Sequence, residues 1–177
     1  MRASTFVLPA AVLAALLLAW TLWRLNLYSK HQNLNGARRL ALTVLGLWMA
    51  GLLLATLGGR PRDAGSGVYF NWQPFATQVV VSEILANFFL FAPLGLLISW
   101  VFPRAFRQVL VLSGIVALLI STTLEIIQAY TSLGTAGDIT DVLLNVSGCC
   151  LAAVLGAIFY RWAQIDSLDV TAVDAHK

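Results

Sequence analysis

The chain has 177 residues, 59% of them hydrophobic and only 11% charged, against roughly 25% charged in an average soluble domain. That leaves too few charges to wet a soluble surface. A mean hydropathy of +0.83 over the whole length also excludes disorder, which needs low hydrophobicity and high charge. The composition points to an all-α, polytopic transmembrane helix bundle, a single membrane domain over residues 1–177.

The first apolar stretch, Phe6 to Trp23, follows Arg2 and could suggest a signal peptide. It is long for that role, no small-residue cleavage site precedes Trp20, and the positive charges come after it at Arg24, Lys30, Arg38 and Arg39. It is read as a span. Leu40 to Leu57, Ile84 to Phe102, Val109 to Ile127 and Val142 to Tyr160 follow, so that five stretches of 18 or 19 residues are predicted to cross the membrane. At 1.5 Å per residue each covers close to the ~30 Å hydrocarbon layer. Backbone facing lipid must satisfy its hydrogen bonds internally, so these runs are helices. Residues 161–177 are read as a flexible tail.

Five spans place the amino terminus and the 58–83 and 128–141 loops on one side, and the 24–39 loop, the 103–108 loop and the tail on the other. The first side carries Arg2, Arg60 and Arg62; the second carries Arg24, Lys30, Arg38, Arg39, Arg104, Arg107 and Arg161, with Lys177 further out. By the positive-inside rule the second side is cytoplasmic, with the amino terminus outside and the carboxyl terminus in the cytoplasm. Tyr69, Phe70, Trp72 and Phe75 crowd the outer loop before span 3 and suggest an aromatic belt or a re-entrant segment. Pro93, inside span 3, removes a backbone hydrogen bond and is expected to kink it.

The acids are less evenly spread. Asp63, Glu83, Glu125, Asp138 and Asp141 fall on or near the outer side, and the other three, Asp166, Asp169 and Asp174, fall in the tail. Glu125 lies within an apolar span and Glu83 and Asp141 flank one, where charge is costly and is kept for function or pairing. Helical spacing sorts them into faces: Glu83 with Asn87 on span 3, Ser121 with Glu125 and Gln128 on span 4, and Asp138 with Asp141 and Asn145 on span 5. All three faces lie within about two turns, or ~10 Å, of the outer boundary. Gly148, Ala152 and Gly156 continue the span 5 face as a small-residue ridge that lets helices approach closely, which turns that face into the bundle. Glu83, Asn87, Glu125, Gln128, Asp138, Asp141 and Asn145 are therefore the candidate ligand-binding residues.

Plainer roles compete. Asp138 and Asp141 resemble a capping pair at a helix start, Glu83 can mark the water boundary, and Asn87, Gln128 and Asn145 can be interhelical hydrogen-bond glue. Cys149 and Cys150 are adjacent, hence about 100° apart on a helix and poorly placed to bridge. With His31 and His176 both in polar segments, no metal ligand set is evident and no cofactor is expected.

Four blocks carry a resemblance. Asn71-Trp72-Gln73-Pro74-Phe75, Asn87-Phe88-Phe89-Leu90-Phe91-Ala92-Pro93-Leu94-Gly95, Glu125-Ile126-Ile127-Gln128 and Asp138-Ile139-Thr140-Asp141-Val142-Leu143-Leu144-Asn145 followed by Gly148 together resemble the VanZ-like family. The resemblance spans residues 71–157, with a VanZ-like core at 71–160, and leaves out the first two spans. It implies a small integral protein of the bacterial cytoplasmic membrane, in a family whose founding member is associated with teicoplanin resistance. The family's polar positions fall on Asn87, Glu125, Gln128, Asp138, Asp141 and Asn145. Many members have an arginine three residues before the first aspartate, where this chain has Thr135; Arg60 and Arg62 are the candidate substitutes as charge partners.

Three functions are open on sequence. One is a non-enzymatic envelope protein whose outward polar cluster binds an amphiphile, such as a lipid-linked wall precursor or a lipopeptide-like drug, with membrane lipids as its other partners and no nucleic acid. A second is a membrane enzyme with Glu125 or Asp141 as general base, although no H-E-x-x-H, G-x-S-x-G or Gly-rich phosphate loop is present. The third, proton or cation transport through Glu125, is opposed by Val109 to Leu119, which offers only Ser113. The sequence does not fix the oligomeric state.

Overall fold

The computed structural model describes residues 4–57, 70–75, 81–103, 105–130 and 137–174. In chain order these form α1 (Ser4–Lys30), α2 (Leu34–Leu57), β1 (Phe70–Asn71), α3 (Val81–Val101), α4 (Phe106–Tyr130), β2 (Gly137–Asp138) and α5 (Ile139–Asp174). Each predicted span falls on one of the five helices, the third, Ile84 to Phe102, running one residue past the end of α3. Among the described residues, Leu34–Leu54, Val81–Val101, Phe106–Tyr130 and Ile139–Gln164 are long and apolar enough to cross a membrane. α1, at 27 residues, covers about 40 Å and is long enough as well. α5 runs on through Asp174, past the apolar stretch that ends at Tyr160.

The distribution of side chains is that of a protein solvated by lipid. Large aliphatic residues such as Leu47, Leu54, Ile115 and Leu119 are exposed, while Thr21, Ser29, Ser99, Ser113 and Ser121 are completely or almost completely buried. Lipid tails are as apolar as leucine, so helices gain nothing by hiding leucines from them. They gain by close packing and interhelical hydrogen bonds, which small and hydroxylated residues permit.

The first two helices form a hairpin whose turn follows from three residues. Asn33 N–H bonds Tyr28 O at 2.8 Å and Gln32 N–H bonds Ser29 O at 2.9 Å, with Gln32 in the left-handed region at φ 52°. This is a Schellman ending, which satisfies carbonyls the helix would otherwise leave open. Asn33 then caps α2, its Oδ1 accepting Gly36 N–H at 2.9 Å. The same end of the bundle is tied to α5, where Ser29 Oγ donates to Ala163 O at 3.0 Å and receives Gln164 Nε2 at 3.1 Å.

α3 and α5 make the closest pairing. A Cβ placed on Gly148 would strike the Phe88 backbone, one on Gly95 the Cys149 backbone, and one on Gly156 the Leu96 backbone. The ridge of Gly148, Ala152 and Gly156 does face into the bundle, and α3 is what it meets. Pro93 sits buried in α3, which stays helical from Val81 to Val101. Proline has no N–H to give the carbonyl four residues back, that of Phe89, and it crowds that turn. Trp48 of α2 bonds the adjacent carbonyl, with Nε1 donating to Leu90 O at 2.9 Å. The core here comprises Leu52, Phe91, Leu94, Ile98, Leu124 and Ala153 among others, while Leu25, Val44, Leu97 and Trp100 fill the core nearer the α1–α2 turn.

Candidate functional site

The site begins where α4 ends and α5 starts. β1 and β2 pair in parallel, Phe70 opposite Gly137 and Asn71 opposite Asp138. Gly137 is needed there, since a Cβ would lie 2.6 Å from the Phe70 ring and 2.7 Å from Glu125 O. The pairing brings segment 70–75 across the head of α5. Asn71 Oδ1 accepts Gln73 N–H at 3.1 Å, turning the chain, and Phe75 N–H donates to Thr140 Oγ1 at 3.0 Å. Phe75 adopts φ 56°, a left-handed conformation that is costly for an aromatic residue and is held by the bonds around it.

Asp138 is the pivot. Its Oδ1 accepts Thr140 N–H at 2.7 Å, which caps α5, and its Oδ2 accepts Asn71 Nδ2 at 2.9 Å. Its own N–H donates to Glu125 Oε2 at 2.9 Å. Glu125, only 4% exposed, thus reaches from α4 to the chain entering α5.

Two further contacts lie deeper. Asn87 Nδ2 of α3 donates to Asp141 Oδ1 of α5. Asn145, one turn below Asp141, donates through Nδ2 to Ser121 Oγ at 2.9 Å, and Ser121 lies one turn below Glu125 on α4. The three polar faces read from the helical spacing therefore meet, with Asn87, Glu125, Asp138, Asp141 and Asn145 joined across α3, α4 and α5. Gln128 is buried on the Glu125 face. Glu83 stands exposed in the first turn of α3 and makes no hydrogen bond among the described residues. Arg60, Arg62 and Thr135 lie outside the described residues.

Capping and function are not exclusive at Asp138, which caps its helix and also joins the cluster. Asn71, Ser121, Gly137 and Thr140 complete the network without standing among the residues expected to bind ligand. Ser121 shared the Glu125 face. Asn71 opens the Asn-Trp-Gln-Pro-Phe block, but it lies outside any span, and its partner is set by strand pairing that two residues cannot signal.

Electrostatically the site is one-sided. Among the described residues no lysine or arginine pairs with Glu125, Asp138 or Asp141. The described bases Arg24, Lys30, Arg38, Arg39, Arg107 and Arg161 all lie away from the cluster, toward the α1–α2 turn, the start of α4 and the later part of α5. Around the cluster the surface is apolar, with Leu85, Phe89, Ile126 and Leu143 exposed on the same three helices and Trp72 of the overlying segment 74% exposed, its ring stacked at a tilt on Phe70.

The family model described as VanZ/LLP1 matches residues 10–160. No curated protein and no solved structure matches the chain. The family match takes in α1 and α2, which corrects the expectation that the first two spans stand outside the resemblance. In this chain those helices carry no site residue but support the ones that do, α2 bonding α3 through Trp48 and α1 tied to α5 through Ser29. The chain belongs to the VanZ/LLP1 family and is a membrane protein.

Proposed function

We propose that this VanZ/LLP1 protein lies in the cytoplasmic membrane of a bacterial cell envelope with its carboxylate cluster outward, and that the cluster binds the polar head of an amphiphile. One observation carries the reading: a buried carboxylate, Glu125, and two half-buried ones, Asp138 and Asp141, hydrogen-bonded across three helices, lie beside exposed apolar side chains of those same helices. A ligand with a polar head and an apolar tail matches both surfaces, whereas a fully water-soluble one matches only the first. Lipid-linked wall precursors and lipopeptide-like drugs are the envelope compounds of that shape. Glu83, at the exposed mouth, is assigned to the ligand's entry side, and Gln128 to its wall. Arg60 and Arg62, on the outer side by the alternation of spans, are the candidate charge partners.

The test is drug susceptibility in a sensitive bacterial host expressing the wild type, Glu125→Ala, Asp141→Ala or an empty vector. The wild type is expected to change the inhibitory concentration of a lipoglycopeptide several-fold, with both variants returning it to the vector level at equal membrane abundance. Identical values in all four strains overturn the link to such drugs.

A further inference from the structure

The hydrogen bonds of the cluster leave a demand of one kind. Glu125 receives one backbone N–H, and Asp141 receives one amide N–H from Asn87. Among the described residues every donor they meet is neutral. Beneath them Asn145 is only 5% exposed, and its Oδ1 is fully buried without a hydrogen-bond partner. Its Nδ2 is bound to Ser121, one turn below Glu125, and its Cα is one turn below Asp141, so the amide is enclosed between the two carboxylate-bearing faces. A buried carbonyl without a donor is destabilising, and native proteins keep few of them.

Among the described residues the unmet groups of the cluster are thus acceptors, and no lysine or arginine is paired with them. A head whose only charged group is phosphate brings further acceptors to such a site and no donor to meet those already there. A primary ammonium brings three donors and one positive charge, matching the second oxygens of Glu125 and Asp141 and the orphaned Oδ1 of Asn145. We propose that the head group taken by this site is a primary ammonium on an apolar tail. This rests on the amphiphile reading above and names the ligand's charge within it.

The test uses the full chain in a neutral maltoside detergent and reads binding from the thermal unfolding midpoint. Three probes are compared below their micellar concentrations: dodecylammonium, dodecyl phosphate and butylammonium. Dodecylammonium is expected to raise the midpoint with an apparent Kd at least tenfold below those of the other two. Glu125→Gln and Asp141→Asn, each eluting as the folded species on size exclusion, are expected to weaken it tenfold or more. Tighter binding of dodecyl phosphate, sensitive to either variant, overturns the ammonium while the amphiphile reading stands. Butylammonium equal to dodecylammonium overturns the tail and the amphiphile reading with it. Binding of every probe that neither variant alters overturns both.

Discussion

Asp138 accepts from Thr140 N–H and Asn71 Nδ2 while its own N–H is held by Glu125, so one residue caps a helix, anchors a crossing segment and positions a buried acid. Asp138→Ala removes the cap, which costs about 0.5–2 kcal/mol, and releases segment 70–75 from α5. We expect a lower unfolding midpoint, together with faster proteolysis within residues 70–75; unchanged proteolysis would separate the cap from the anchor. Asn145 is expected to behave differently. Interhelical hydrogen bonds in membranes are worth about 0.6 kcal/mol on average, whereas an unsatisfied buried polar group costs about 1–3 kcal/mol. Asn145→Ala deletes both, and Ser121 can turn its hydroxyl to its own helix. The variant should be at least as stable as the wild type by thermal or denaturant unfolding, and a loss of more than about 1 kcal/mol would show Asn145 to be ordinary glue. At this scale the sequence was readable where pairing follows from helical spacing: Asn87, Asp141, Ser121 and Asn145 each sit on the face that i, i+4 counting assigns. The bond from Asp138 N–H to Glu125 was not readable, because it depends on where the chain re-enters as β2.

α3 and α5 are held by backbone-to-backbone approach at Gly95, Gly148 and Gly156, and backbone cannot yield as a flexible side chain can. Gly148→Ala therefore forces the helices apart and should lower the unfolding midpoint, although alanine is the better helix former by about 1 kcal/mol. Gly46 and Gly51 of α2 provide the control, because a Cβ at either meets nothing within 4 Å. Gly46→Ala and Gly51→Ala should leave the midpoint unchanged or raise it. Equal effects at all three positions would mean that propensity and not packing governs these helices. The five helices and the inward turn of the Gly148 ridge follow from apolar run length and small-residue spacing, both properties of one segment at a time. The choice of α3 as the ridge's partner, and the support that Trp48 lends beside Pro93, depend on how separate segments meet, and no single stretch records that. The aromatic stretch near residue 70 has the same limit: Phe70 and Asn71 pair as a strand with residues far along the chain, and a two-residue strand has no periodicity to detect.

Across the whole molecule, the cluster carboxylates Glu83, Glu125, Asp138 and Asp141 lie at one end of the bundle and the described bases lie toward the other, where Asp166, Asp169 and Asp174 also fall on the last part of α5. The hydrogen bonds fix that arrangement without reference to a membrane: Asn87 meets Asp141 at one end, and Ser29 meets Ala163 at the other. Segregation of this kind also predicts orientation, since lysine and arginine close to span ends are retained in the cytoplasm whereas acids contribute little to the choice. Arg24, Arg38, Arg39, Arg107 and Arg161 are the charges in question. A green fluorescent protein fused after Lys177 should fluoresce, and alkaline phosphatase fused at the same point should be inactive, because the first folds in the cytoplasm and the second matures outside it. The fusions also bear on function. An active phosphatase at the carboxyl terminus would place Glu125, Asp141 and Asn145 at the cytoplasmic face, out of reach of an externally added lipopeptide, and the amphiphile would then have to be one supplied from within the cell. An inactive phosphatase leaves the cluster facing the compartment where lipid-linked wall precursors are consumed and such drugs arrive.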